Sequence, residues 1–118
     1  MARLLLSNKE SGDYEFSFEP VTEENVEKTV VKFLTRYGYV RRIRVNPCDY
    51  RIRALPLAIL DKDKRIEFKV ECCDKLGLEH KEFIVDKEVL VKKIVELLKK
   101  VQEEYKECAK KYSEKLLI

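Results

Sequence analysis

Residues 86–118 read DKEVLVKKIVELLKKVQEEYKECAKKYSEKLLI. In this stretch Leu90, Ile94, Leu97, Leu98, Val101, Tyr105, Cys108, Tyr112 and Leu116 recur at helical spacing and make one apolar stripe. Glu88/Lys92, Glu96/Lys100 and Glu107/Lys111 stand four apart, each acid N-terminal to its base, the favourable order for helical ion pairs. Asp86 supplies an N-terminal cap. The pattern predicts a terminal helix over about residues 86–117. At 1.5 Å per residue, roughly 30 residues measure about 45 Å, longer than a domain of this size is wide. The part beyond about Val101 is therefore expected to extend from the domain and pair with a partner, a second copy being the leading expectation.

Working outward, the preceding residues supply a sheet and one more helix. Residues 2–6 and 14–18 read as two short strands, with Tyr14, Phe16 and Phe18 alternating against Glu15 and Ser17 across a polar link of Ser11, Gly12 and Asp13. Pro20 precedes Thr22, which is placed to cap a helix over about 23–37. That helix carries Glu23 and Glu24 in its first turn, an apolar set of Val26, Val30, Phe33, Leu34 and Tyr37, and Gly38 at its end. Tyr39 to Val45 reads as a strand closed by Asn46-Pro47. A hairpin is expected next, from about Arg53 to Leu60, through Asp61-Lys62-Asp63-Lys64, and back along Arg65 to Cys73. Its return strand would carry Ile66, Phe68, Val70 and Cys72 on one face and Glu67, Lys69, Glu71 and Cys73 on the other. A further short strand covers about His80 to Val85. The predicted order is β-β-α-β-β-β-β-α. The class is α+β, a mainly antiparallel or mixed sheet of about four to six strands with an early amphipathic helix and a long C-terminal one. No repeat or low-complexity linker divides the 118 residues, which are read as one domain.

Apolar residues form 45% of the chain, yet no run approaches the roughly 20 needed to cross a bilayer, and Met1 to Leu6 lacks a signal-peptide core. The expectation is a cytoplasmic protein that does not engage a membrane. Charged residues reach 40%, with 17 Lys and 16 Glu against one Gln and three Asn, the balance seen in proteins of hot-adapted organisms. The net charge of +3 names no partner, because a solvated Lys/Glu surface gives the same total. Its distribution is more informative: six of the eight arginines, Arg36, Arg41, Arg42, Arg44, Arg51 and Arg53, fall within residues 36–53, where Asp49 is the only acid. Guanidinium groups pair bidentately with phosphates, and Tyr37, Tyr39 and Tyr50 lie among them as stacking groups. Arg41, Arg42, Arg44, Arg51 and Arg53 are the candidate contacts to DNA or RNA. A surface network of arginines with acids from elsewhere in the chain explains the same cluster without a ligand.

Cys48, Cys72, Cys73 and Cys108 lack the paired spacing of a structural zinc site. They are read as buried thiols, with Cys48 bridged to Cys72 or Cys73 as the alternative. His80 is the only histidine and receives no chemical role. Three glycines leave no room for a phosphate-cradling loop, and no small-molecule cofactor is expected.

Several of these pieces occur in a recognisable order. Thr22-Glu23-Glu24-Asn25-Val26 opens an amphipathic helix ending Tyr37-Gly38-Tyr39, followed by Arg42-Ile43-Arg44-Val45 and the segment Asp61-Lys62-Asp63-Lys64 leading to Glu67-Phe68-Lys69 or Glu71-Cys72-Cys73. This stretch resembles the N-terminal nuclease region of type I restriction enzyme R subunits, in the PD-(D/E)XK superfamily. The resemblance implies that an Asp and a Glu-x-Lys on neighbouring strands hold a magnesium ion that activates water, the lysine polarising the nucleophile. Carried over, Glu67 and Lys69 become the catalytic pair and Leu57 takes the place of the Asp; in the other register Glu71 is the acid and Cys73 stands where the Lys belongs. The resemblance therefore implies a nucleic-acid-associated domain with a degenerate active site. The other reading is a non-enzymatic interaction module that self-associates through its C-terminal helix.

Overall fold

The computed structural model describes residues 2–49 and 62–114. Four strands, β1 (Ala2–Ser7), β2 (Phe16–Val21), β3 (Val40–Asn46) and β4 (Leu78–Ile84), form one antiparallel sheet in the order β2-β1-β3-β4. Among the described residues three helical elements accompany them: α1 (Val26–Tyr37), α2 (Lys62–Phe68), which runs on into a π turn at Lys69–Asp74, and α3 (Lys87–Glu114). The expected α+β class with an early and a long terminal helix is what the chain forms. Among the described residues, no helix is long and apolar enough to cross a membrane.

Strand alternation decides which face meets the helices. Leu4 and Leu6 of β1 stand opposite Phe18 and Phe16 of β2 on one side and Val45 and Ile43 of β3 on the other. Directly paired residues share a face, so this set makes one continuous apolar surface. It is closed by Val26, Val30 and Phe33 from α1 and by Leu90, Ile94, Leu98 and Val101 from α3, all fully buried. The opposite face carries Leu5, Ser7, Arg42, Arg44, Glu79 and Lys81.

Helix α1 starts three residues later than the sequence reading expected. The Asn25 side-chain oxygen accepts the Thr22 amide at 2.8 Å, so residues 22–25 form a turn before Val26. Its end falls as expected: Gly38 adopts φ 82°, the left-handed conformation for which an L side chain is strained, and its amide donates to Leu34 O at 2.8 Å.

The larger correction lies at 62–74. The return strand expected over Arg65 to Cys73 is helical, and its proposed hairpin partner over 53–60 lies outside the described residues. The alternating set Ile66, Phe68, Val70, Cys72 does not share one buried face: Phe68 and Cys72, four apart, are fully buried, while Ile66 is 55% exposed. Period four, not period two, describes what is covered, and Cys73 is added because the Val70 O to Lys75 N bond at 3.0 Å marks the wider π turn.

This segment builds a second, smaller interior. Phe68, Cys72, Cys73 and Tyr112 are buried together, with Tyr105, Cys108 and Ala109 of α3 and Cys48 packed around them. The preferred reading of the cysteines as thiols is overturned: Cys48 is bridged to Cys73 and Cys72 to Cys108, with Cα separations of 5.5 and 5.7 Å in the ordinary range for disulfides. The alternative reading had placed Cys48 against Cys72 or Cys73; the Cys72–Cys108 bridge was not foreseen. Adjacent helical positions point roughly 100° apart, which lets Cys72 face α3 while Cys73 faces the segment after β3. The 28 residues of α3 thus serve as a spine for both interiors. Tyr105, Cys108 and Tyr112, expected to project toward a second copy, find their cover within the same chain.

Candidate nucleic-acid interface

The arginines of β3 have different neighbours and different freedom. Arg42 is only 7% exposed. Its Nε donates to Lys9 O at 3.1 Å, its Nη2 donates to Gly12 O and, at 3.4 Å, to Asp13 O, and its guanidinium lies 4.4 Å from the Tyr14 ring centroid. Glu79 on β4 is its ion-pair partner at 3.8 Å. A planar fork of five donors suits a loop that offers several carbonyls, and here it ties the β1–β2 link to the sheet. Arg44 donates from Nε to Asn46 Oδ1 at 3.2 Å. A Cβ on Gly77 would lie 2.6 Å from Asn46 Oδ1 and 2.9 Å from Arg44 Nη2, so a side chain there would displace the ends of these two flexible side chains. Arg51, Arg53 and Tyr50 lie outside the described residues.

Arg41 is placed differently, by an irregularity in the sheet. Val40 pairs with Ile84 and Arg42 with Lys81, so the two residues Glu82 and Phe83 of β4 oppose the single Arg41. A bulge of this kind bends the strand and re-aims its side chains. The result is a corner in which the Tyr39 and Phe83 rings lie 5.3 Å apart, with the Arg41 guanidinium 5.6 and 5.1 Å from their centroids. Phe83 is 57% exposed, unusual for a large aromatic with packing neighbours. Beside it, Glu10, Arg41, Arg42, Lys81, Glu82 and Phe83 line an open cleft of about 400 Å³.

Two acids moderate this corner. Glu10 pairs with Arg41 at 3.1 Å on an exposed surface, where such a pair is weak and readily exchanged. Glu82 lies 2.8 Å from His80 Nε2, and that hydrogen bond holds its carboxyl below the usual Glu value. Arg41 therefore offers a guanidinium already oriented by two rings, with a counter-ion that a phosphate can displace.

Glu67 and Lys69, the pair implied by the nuclease resemblance, lie on α2 and the π turn rather than on a strand. Residues two apart share a face on a strand but point in different directions on a helix, so the geometry that gives Glu-x-Lys its use is absent. Glu67 is engaged structurally: Lys64 lies 3.4 Å away, and Glu67 accepts a hydrogen bond from the Tyr112 hydroxyl. Glu71 pairs with Lys75 at 2.8 Å. Leu57 lies outside the described residues and carries no carboxylate. These side chains do not fit a shared magnesium ion, and among the described residues no group of three or more His, Cys, Asp and Glu is placed to hold a metal.

The pairing of Tyr39 with Phe83 is what the sequence reading missed. Tyr39 was noted as a stacking group, but Phe83 lies 44 residues further along the chain, and the bulge brings it beside Arg41. Comparison of the chain with protein-family models, curated proteins and solved structures gave no match.

Proposed function

We propose that this chain is a nucleic-acid-associated domain that binds single strands at the β3–β4 corner and does not cleave them. The observation carrying this reading is the exposed Phe83 ring packed at a tilt against Tyr39, with the Arg41 guanidinium over it and Lys81 beside it. Every base has a π face, so an exposed aromatic platform with adjacent cations captures unpaired bases and their phosphates without needing a sequence code. Duplex DNA hides its bases inside the stack and offers the platform nothing comparable. Arg41 and Lys81 take the role first assigned to the whole arginine cluster, while Arg42 holds the β1–β2 link in place.

Fluorescence anisotropy of labelled single-stranded and duplex oligonucleotides, titrated at several salt concentrations, tests this. Single strands should bind more tightly than duplex, with affinity falling as salt rises. Phe83→Ala should weaken single-strand binding by about 10-fold or more, the loss expected for one stacking ring. Glu10→Gln should strengthen it by freeing Arg41. Equal binding by wild type and Phe83→Ala, or no binding at low salt, would reject the reading.

A further inference from the structure

The second interior is built almost entirely from sulfur and aromatic rings. Its four buried residues are Phe68, Cys72, Cys73 and Tyr112, and both buried cysteines are bridged to partly exposed ones, Cys73 to Cys48 and Cys72 to Cys108. Among the described residues, the sheet interior contains fifteen buried residues and no cysteine. Beside the bridges, α2 and its π turn meet α3 through the Phe68–Tyr105 and Phe68–Tyr112 edge-to-face pairs, with centroids 6.1 and 5.3 Å apart, and the Tyr112–Glu67 hydrogen bond, among other contacts. A helix of seven residues and a six-residue turn are too short to hold their conformation alone, and the two bridges tie this segment covalently to α3 and to the residues after β3.

We propose that the paired disulfides form a redox-responsive site that accepts a small dithiol as reductant, and that reduction frees α2 and its π turn from α3 while the sheet stays folded. A thiolate of the dithiol attacks the sulfur of the partly exposed Cys108, forming a mixed disulfide and expelling Cys72 as a thiolate, which takes up a proton. The second thiol of the reductant then displaces Cys108 and closes its own disulfide. Cys48 and Cys73 follow the same course. Each bridge consumes two electrons and two protons, and the dithiol leaves oxidised. With both bridges open, Phe68, Tyr105 and Tyr112 lose the cover that the covalent links maintained.

The test uses the full chain with dithiothreitol as the reductant, thiol counting by alkylation and mass spectrometry, and limited trypsin digestion. No alkylated thiols are expected before reduction and four after it. Cleavage after Lys64, Arg65, Lys69 and Lys75 should accelerate by about tenfold or more on reduction, while Arg42 and Arg44 in β3 stay protected, as expected of local opening. The Cys72→Ser/Cys108→Ser variant, which keeps the other bridge, should show part of this acceleration without reductant. Four thiols before reduction would overturn the proposal. Unchanged cleavage after all four are released would also do so, as would equal acceleration at Arg42 and Arg44.

Discussion

The two halves of α3 present the same apolar periodicity to different surroundings. Leu90, Ile94, Leu98 and Val101 lie against a four-stranded sheet, where burial is broad and backbone hydrogen bonds are shared across strands. One turn further on, among the described residues, Tyr105, Cys108 and Tyr112 meet a short helix, its π turn and Cys48, and two disulfides join these elements covalently. Closing loops with sequence separations of 25 and 36 residues stabilises a fold by roughly 3–4 kcal/mol each in the chain-entropy view. An amphipathic stripe thus states that a surface will be covered, and the local chemistry along it states how.

The largest effect that separates the two regions is expected from Phe33→Ala. Removing this fully buried ring from the sheet interior should cost about 4 kcal/mol and lower the denaturant midpoint of the entire far-ultraviolet signal. Phe68→Ala removes an equally buried ring, but with both disulfides intact its cost should fall on amide protection in residues 62–74 and 105–112, read by hydrogen exchange. A loss of β1 and β3 protection equal to that in Phe33→Ala would dissolve the distinction.

Arg42→Ala comes next. It removes the guanidinium that donates to the carbonyls of Lys9, Gly12 and Asp13 and that forms the ion pair with Glu79, and should destabilise by about 3 kcal/mol in thermal unfolding. Lysine at this position should restore little, since it lacks the planar fork.

Alkaline pH gives a smaller, reversible contrast. Burial raises the Tyr105 and Tyr112 phenols above the ordinary value of 10.0, and for Tyr112 the hydrogen bond to Glu67 adds to the rise. A raised folded-state pKa contributes stability that is complete below the unfolded value and is lost as pH climbs through the folded one. Above pH 10 the second interior should therefore loosen, and the β1–β2 link, where burial likewise raises Tyr14, should respond as well, while the described buried residues of the sheet core include no tyrosine. Phenolate absorbance followed beside far-ultraviolet ellipticity would show the order. His80→Ala is the mildest change: the Glu82 carboxyl should return upward toward its usual value in a carboxyl NMR titration, with unfolding temperature unmoved.

Much of the architecture was legible because its periodicities are unambiguous. The four strands, α1 and α3 all follow apolar patterns that only one kind of element satisfies, and Gly38 marks its helix end by a left-handed backbone. Residues 65–73 were misread because Ile66, Phe68, Val70 and Cys72 satisfy a strand template while Phe68 and Cys72 equally satisfy a helical one. Tertiary cover, supplied by Tyr105 and Tyr112 far along the chain, decided between them. The site was legible only in part. Arg41 and Tyr39 were among the residues singled out, but nothing in Arg41-Arg42-Ile43-Arg44 distinguishes the arginine that ties down a loop from the one beside an exposed ring. That difference arises from the extra residue in β4 and from the carbonyls of the β1–β2 link.

The proposed binding corner belongs to the sheet and should work independently of the sulfur-built interior. Single-strand affinity measured by anisotropy on oxidised protein, on protein with both disulfides reduced, and on Phe83→Ala tests it most directly. Equal affinity is expected for the first two and a loss of about tenfold or more for the third. Binding abolished by reduction but untouched by Phe83→Ala would contradict it.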